Sequence, residues 1–344
     1  MRPLLHTLAG LLAFATTCIG VQSAVPWPLG IGLRAKMQYF EEHADEYDAL
    51  FIGSSRVFRD VMPRVIESEL DALGFEFKAF NLGVGAMMDF ETNHLVRSAL
   101  EHPGQRLRWV FVESGRWDLA EETESNPQAK RTVEWHSPAN ASVVLEGLLV
   151  SDLSHLELLK SGVGHLTMFG QRFASYGRGT DMWKELSNTA AKVLEADDPN
   201  LSDAELALDW GWQKLGPDRA PFDEAKWSRQ VSTVRRNESR GDGAGAVVLR
   251  KLPLESIKRQ IEFIQSKVPN VVYLSLPNSK GSVLARTMSS LGIFPDYLSF
   301  DSPSVFPMLY AIDHRVDANH LNQRGATELS KLLAREIGQR LREE

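Results

Sequence analysis

The chain has 344 residues, of which 43% are hydrophobic and 24% charged, an ordinary composition for a globular protein with a sizeable core. Its net charge of −7 and the lack of a dense lysine and arginine stripe argue against nucleic-acid binding. The one cysteine, Cys18, lies in an apolar N-terminal segment, which excludes intramolecular disulfides, cysteine-rich zinc sites and a cysteine nucleophile in the folded part.

The N-terminal segment has the pattern of an export signal or an anchor. Arg2 precedes an apolar stretch at residues 4–21, and Val21 and Ser23 occupy the small-residue positions of a cleavage site before Ala24. The stretch is also nearly long enough to span a bilayer. We therefore expect residues 1–24 to be a signal peptide or membrane anchor, and the body of the protein to be periplasmic or anchored outside the cytoplasm. A lipid attached at Cys18 and a buried helix are the alternatives.

Regular elements begin at residue 49. The runs "ALFIGSS", "FKAFNLGVG" and "RWVFVESG" are apolar and end in small residues, as expected for parallel strands buried on both faces. Between them, "VMPRVIESELDALG" and "DFETNHLVRSALEH" have helical spacing and end near glycine or proline. This alternation with short connections predicts a three-layer α/β fold with a parallel sheet.

The alternation stops at residues 117–250, where no further strand is convincing and helical patterns mix with polar loops. We interpret this region as a mostly helical insertion between two parts of one α/β domain, 25–116 and 251–344. The second part predicts, in order, a helix at "PLESIKRQIEFIQSKV", a fourth strand at "NVVYLSLP", a helix at "SVLARTMSSLG", a short fifth strand at "YLSFDS" and a C-terminal helix at 323–341.

Residues that could take part in catalysis follow the predicted strands. Open α/β sheets bind ligands at the carboxyl edge of their strands, where "GSS", "NLGVGA" and "ESGRWD" are expected. A serine nucleophile needs a base, and the base needs a carboxylate to orient it; Asp317 and His320 in "DANH" supply both from one loop. The amides at Ser55 and near Gly85 could then stabilise an oxyanion. Each motif alone also has an ordinary explanation: serine often caps a helix, and Asp-x-x-His arises by chance.

The order of these motifs resembles the SGNH/GDSL hydrolase superfamily. Its first block corresponds to Gly53-Ser54-Ser55, its second to "NLGVGA" from Asn81, and its fifth to Asp317 and His320. The resemblance implies a flavodoxin-like five-stranded parallel sheet and makes Ser55 the nucleophile. It places the oxyanion amide at Ala86 by strict spacing, or at Gly85 with a slip of one residue.

The third block departs from that family. Trp117 occupies the position of an asparagine whose side chain donates to the oxyanion, and loss of such a donor costs about 3–4 kcal/mol of transition-state stabilisation. Arg116 and Arg56 are the candidates to replace it. The alternative is a catalytically inactive SGNH-fold protein that binds glycan or assembles with a polysaccharide-synthesis complex.

The "GSSR" form of the first block, the N-terminal segment and the large insertion are similar to the DltD-like and alginate-acetylation proteins of bacterial envelopes. That likeness implies an exported serine esterase or O-acyltransferase acting on an acylated carbohydrate, an envelope or extracellular polysaccharide. Tryptophans in the insertion would suit sugar rings, or could simply build its core. No metal or organic cofactor is required, and the N-terminus would provide any membrane association.

Overall fold

The structure is a computed structural model that describes residues 2–24, 31–85, 87–114, 130–177, 179, 209, 211–212, 223–238, 249, 252–279 and 281–344. The chain divides into two compact units. One contains Met1–Arg34 and Leu119–Pro199, and the other contains Ala35–Asp118 and Asn200–Glu344. The insertion boundaries expected at 117 and 250 stay a prediction.

The second unit is built on a five-stranded sheet in which every pairing is parallel. Its strands are β1 Ala49–Ile52, β2 Ala79–Asn81, β3 Trp109–Glu113, β4 Asn270–Ser275 and β5 Tyr297–Ser299, in the spatial order β2-β1-β3-β4-β5. Strands β1 and β3 are fully buried, as their unbroken apolar runs predict. The predicted α/β class with a parallel sheet is thus confirmed.

The helices of the sheet unit lie between and after the strands. They are α2 Ile31–Glu42 (which begins before the unit does), α3 Ser55–Asp60, α4 Pro63–Asp71, α5 Asp89–Glu101, α9 Glu224–Glu238, α10 Leu254–Gln265, α11 Val283–Ser290 and α12 Gln323–Glu343. Each predicted helix of the two α/β segments is present, and short 3₁₀ turns occur at Ala44–Glu46, Pro307–Tyr310 and Ile312–His314.

Side-chain alternation along the strands divides the core between two sets of helices. Phe51 and Phe111 stack on one face of the sheet, in a cluster with buried residues of α3, α4 and α12. Neighbouring residues of a strand point to the opposite face. Helices α5 and α10 contact each other as well as β1 and β4, respectively. Burial on both faces fixes the strand register, and with it the positions of the loops that follow the strands.

The other unit contains α1 Arg2–Ala24, α6 Lys130–Trp135, a 3₁₀ turn at Pro138–Asn140, α7 Ala141–Val150 and α8 His155–Phe173. Within α1, Arg2–Ser23 is long and apolar enough to cross a membrane, by length and composition, and signal sequences share those features. Thr7 and Thr17 each bond their hydroxyl to the backbone carbonyl four residues earlier, which satisfies these polar groups inside the helix.

Candidate active site

The turn after β1 places two serines differently. Ser54 is the N-cap of α3, and its hydroxyl oxygen accepts a hydrogen bond of 3.3 Å from the Arg56 amide. Ser55 is the first residue of the helix and is half-buried. The capping explanation therefore accounts for Ser54 but not for Ser55.

The hydroxyl of Ser55 meets the imidazole of His320 across 265 positions of sequence, with Oγ 2.8 Å from Nε2. On the other side of the ring, Nδ1 lies 2.9 Å from both carboxylate oxygens of Asp317. A carboxylate only accepts, so Nδ1 carries the proton and Nε2 is left to accept from the serine. The structure thus brings together the three residues that the sequence motifs single out, in the order that serine deprotonation requires.

The loop that carries Asp317 and His320 is held by its own backbone and by a buried arginine. Arg315 and Leu321 form an antiparallel bridge that closes the loop. One carboxylate oxygen of Asp317 also accepts from the amides of Asn319 and His320, at 2.8 and 3.0 Å. The Arg315 guanidinium donates to the carbonyls of Asp317 and Ala318, at 3.0 and 3.1 Å. These bonds fix the imidazole before any substrate arrives.

A second buried carboxylate ties that loop to the helix of the serine. Asp60, the last residue of α3, accepts a hydrogen bond of 2.9 Å from the Leu321 amide. Burial raises the pKa of Asp60 well above its usual value, and the positive charge of Arg315 opposes part of that rise. This bond therefore joins the helix that begins at Ser55 to the residue that follows His320.

Glu113, at the end of β3, holds the other side of the serine turn. Its carboxylate accepts from the Ser54 amide and from Arg56 Nε, each at 2.6 Å. Burial lowers the pKa of Arg56, but the adjacent Glu113 carboxylate outweighs it, so that the pKa lies above its usual value. Arg56, a candidate oxyanion donor from the sequence, thus uses its Nε to bind Glu113.

The turn after β2 is fixed by a buried asparagine and a buried lysine. Asn81 donates to the carbonyls of Val57 and Val61, both at 2.7 Å, and accepts from the Gly83 amide at 2.9 Å. Lys36 Nζ donates to the carbonyls of Asn81 and Gly83, at 3.0 and 2.7 Å. Burial lowers the pKa of Lys36 well below its usual value, with Arg59 adding to the effect.

This turn lies against the serine turn. The Val84 amide donates to the Gly53 carbonyl at 2.9 Å, which puts Gly85 one residue beyond the contact. Among the described residues, no atom lies within 4 Å of a Cβ built at Gly85, which leaves space beside this candidate donor. The other predicted oxyanion and substrate-binding residues, Ala86, Arg116 and Trp117, lie outside the described residues.

Among the tryptophans expected to suit sugar rings, the described ones are interior. Trp135 and Trp227 are 1% and 2% exposed, and Trp212 is also buried. The indole of Trp227 donates to the Tyr310 carbonyl and stacks on the Tyr310 ring. These three rings build cores and offer no open face to a sugar.

Sequence reasoning missed four residues that hold the site: Lys36, Asp60, Glu113 and Arg315. Glu113 had a readable signal, because a charged residue at the end of an apolar parallel strand lies at the ligand-binding edge of the sheet. Lys36 and Asp60 bind backbone groups of distant turns, and Arg315 binds carbonyls of its own loop; no sequence spacing reveals such partners.

Comparisons with known proteins were made at three levels. The scan against protein-family models, the search of curated proteins and the search of solved structures each found no significant match to this chain. What can be inferred about function therefore depends on the geometry of the site and on the motifs that build it.

Proposed function

We propose that this protein is a serine-dependent ester hydrolase or O-acyltransferase of the SGNH type. The single observation that carries the proposal is the hydrogen-bonded series from Ser55 through His320 to Asp317. The strand order β2-β1-β3-β4-β5, which is that of flavodoxin-like sheets, and the two sets of packed helices support a flavodoxin-like three-layer architecture.

In the proposed reaction, Ser55 Oγ attacks the acyl carbonyl while His320 Nε2 takes the hydroxyl proton. The tetrahedral intermediate collapses, the ester oxygen leaves as an alcohol with the proton from His320, and the acyl group remains on Ser55. Water or a sugar hydroxyl then attacks this acyl-enzyme and loses its proton to His320. The bond between the acyl carbon and Ser55 Oγ breaks, and His320 returns the proton to Oγ. Asp317 holds the imidazole in the tautomer that each step needs.

The oxyanion would be bound by backbone amides. The Glu113 carboxylate accepts a hydrogen bond from the Ser54 amide, and the Ser54 hydroxyl accepts one from the Arg56 amide. Within the described residues, no acceptor is paired with the Ser55 amide between them. An unpaired amide beside the nucleophile is the type of donor that stabilises a developing oxyanion. Gly85 supplies the second amide, from the adjoining turn.

The substrate class and location follow from the narrower resemblance. The "GSSR" turn and the apolar helix α1 favour an exported or membrane-anchored enzyme that acts on an acylated carbohydrate of the cell envelope. Helix α1 supports export through its length and composition. Water as acceptor would make the protein a hydrolase, and a carbohydrate hydroxyl would make it a transferase.

The test is labelling with a fluorophosphonate, a probe that needs a nucleophilic serine but no acceptor substrate. We expect the full-length protein and the Ser54→Ala variant to be labelled, because Ser54→Ala keeps the backbone amide that Glu113 binds. Ser55→Ala should lose the label, and the adduct should map to Ser55 by mass spectrometry. Hydrolysis of p-nitrophenyl acetate should follow the same pattern.

Trp117 in place of the family asparagine favours the second candidate, an inactive SGNH-fold glycan-binding or complex-assembly protein. An unlabelled but folded full-length protein that binds polysaccharide would support this second function. Equal labelling of Ser55→Ala and the parent would contradict the proposed nucleophile.

A further inference from the structure

Helix α8 buries two polar residues and exposes a stripe of large apolar ones. Its buried positions are Ser161, His165 and Met168, which are 6%, 1% and 2% exposed. Four of its exposed positions carry large apolar side chains at spacings of three and four residues, which puts them on one face, with the exposed Lys160 beside them. They are Leu156, Leu159, Val163 and Leu166, between 55% and 76% exposed.

Helix α7 packs against α8 and also exposes large apolar side chains. Its Leu145 and Leu149, one turn apart, are 60% and 76% exposed. We call these six side chains the apolar surface. Thr167 lies beside the stripe on α8 and is exposed, but its hydroxyl donates to the Val163 carbonyl at 2.7 Å and so needs no water. A surface of this kind suits an apolar environment and is costly to leave in water.

Helix α8, which carries four of these side chains, contacts the helix that has membrane-spanning length. Gln22 of α1 donates to the Phe173 carbonyl at 2.7 Å and accepts from Arg172 Nη1 at 3.1 Å. The rings of Phe14 and Phe173 meet edge to face, with centroids 6.4 Å apart. The C-terminal end of α8 is therefore bonded to the second half of α1, where α1 would leave the bilayer.

We infer that the apolar surface of α7 and α8 lies in the headgroup and acyl-chain boundary of the membrane that α1 crosses. The reason is geometric: a face of exposed leucines that is fastened to a membrane-spanning helix near its end is held at the membrane surface. Helices with an apolar face bind there through the apolar area they bury. This inference depends on α1 remaining as an anchor, and it is independent of the chemistry at Ser55.

The experiment uses the full chain with Cys18→Ala, which removes the one cysteine. Single cysteines are then introduced as Leu159→Cys and Leu149→Cys, labelled with an environment-sensitive fluorophore, and placed in phosphatidylcholine nanodiscs. Leu11→Cys reports on α1, and Gln265→Cys, at the exposed end of α10, is the water-facing control. Lipids carrying a nitroxide on the headgroup or on the acyl chain then quench fluorophores that contact lipid.

We expect nitroxide lipids to lower the fluorescence at positions 159, 149 and 11 by roughly twofold or more, and to leave position 265 unchanged. Headgroup and shallow acyl nitroxides should quench positions 149 and 159 best, because the surface lies at the boundary.

Two results would overturn the inference. Quenching at 11 without quenching at 149 and 159 would show that α1 is in the membrane and the apolar surface is not, whether water or protein covers it. The absence of quenching at all three positions would show that α1 is not in the membrane either. Unchanged thermal unfolding of each labelled variant confirms that the label has not disturbed the fold.

Discussion

The carboxylate of Glu113 accepts a hydrogen bond of 2.6 Å from the backbone amide of Ser54, the residue before the candidate nucleophile. The bond joins the end of β3 to the turn after β1. It sets the direction in which the next residue enters α3, and so the position of the Ser55 hydroxyl. The neighbouring bond to Arg56 anchors the same turn from its other side.

Glu113→Gln should lower both stability and the rate of acylation. The amide keeps one acceptor but removes the charge that pairs with Arg56, whose side chain is only 23% exposed. We expect the free energy of unfolding to fall by about 1–3 kcal/mol and acylation to slow by roughly 10-fold to 100-fold. Chemical denaturation and the rate of fluorophosphonate labelling measure the two effects.

The matched control is Glu328→Gln, which breaks a surface pair with Lys331 in α12. Surface pairs contribute about 0–1 kcal/mol, so this variant should unfold and label much as the parent does. Equal behaviour of the two variants would mean that Glu113 does not position the serine turn.

The glycines at the site should differ sharply in their tolerance of alanine. A Cβ at Gly53 would lie 2.5 Å from the Glu113 Cβ, and one at Gly83 would lie 2.4 Å from the Phe58 backbone nitrogen. We expect either substitution to destabilise the fold by about 3 kcal/mol, because a closely packed backbone must shift. The Cβ of Gly85→Ala would meet no atom of the described residues within 4 Å, and this variant should unfold at the parent's temperature. Thermal unfolding of the three variants makes the comparison, and tolerance at Gly53 would contradict the observed packing.

Asp317→Asn should inactivate the protein while leaving the loop folded. The amide oxygen can still accept from the Asn319 and His320 amides, but its NH₂ group would face Nδ1. The imidazole would then carry its proton on Nε2 and could not deprotonate Ser55. In the serine-protease precedent for this change the rate falls about 10⁴-fold, and we expect labelling to slow by roughly 10³-fold to 10⁴-fold.

Asp313→Asn provides the control in the same loop. Asp313 is 60% exposed and pairs with His314 and Arg324 rather than with His320. Its loss should change the labelling rate little. A similar loss in both variants would indicate a general effect of charge, not the tautomer of His320.

The buried histidines of the other unit should make its stability depend on pH. His136 donates from Nδ1 to the Thr132 carbonyl, so its Nε2 must accept from His165 Nδ1, 2.8 Å away. Burial lowers the pKa of His136 to about 4 and that of His165 to about 3. The unfolded chain, with a pKa near 6.5, binds these protons more readily. The free energy of unfolding should therefore be highest above pH 6.5 and decrease as the pH falls toward 4. At pH 5 the decrease should be about 2 kcal/mol per imidazole.

Thermal unfolding at pH 7.5 and pH 5 of the parent and of the double variant His136→Phe, His165→Leu measures this dependence. The double variant should lose less stability on acidification than the parent. His155→Gln, which changes an exposed histidine at the start of α8, should keep the parent's pH dependence. Parallel curves for the parent and the double variant would show that another group is responsible.

The sequence by itself determined the class of fold and singled out the candidate catalytic residues. Apolar runs such as "ALFIGSS" and "NVVYLSLP" can be satisfied only by strands buried on both faces, and the helices between them follow from periodicity. Ser55, Asp317 and His320 were candidates because their motifs follow the first strand and precede the last helix, in an order that resembles the SGNH/GDSL hydrolases. These signals are local, so they can be read without knowing which segments meet.

Tertiary structure alone decided how those residues are held. The bonds from Glu113 to the Ser54 amide and from Asp60 to the Leu321 amide join segments far apart in sequence. Their backbone partners have no side-chain identity that a sequence could display. The exposed leucines of α8 are likewise indistinguishable in sequence from a core-facing stripe. Only the folded chain shows which side of a helix is covered, because burial is a property of the neighbours that surround a residue.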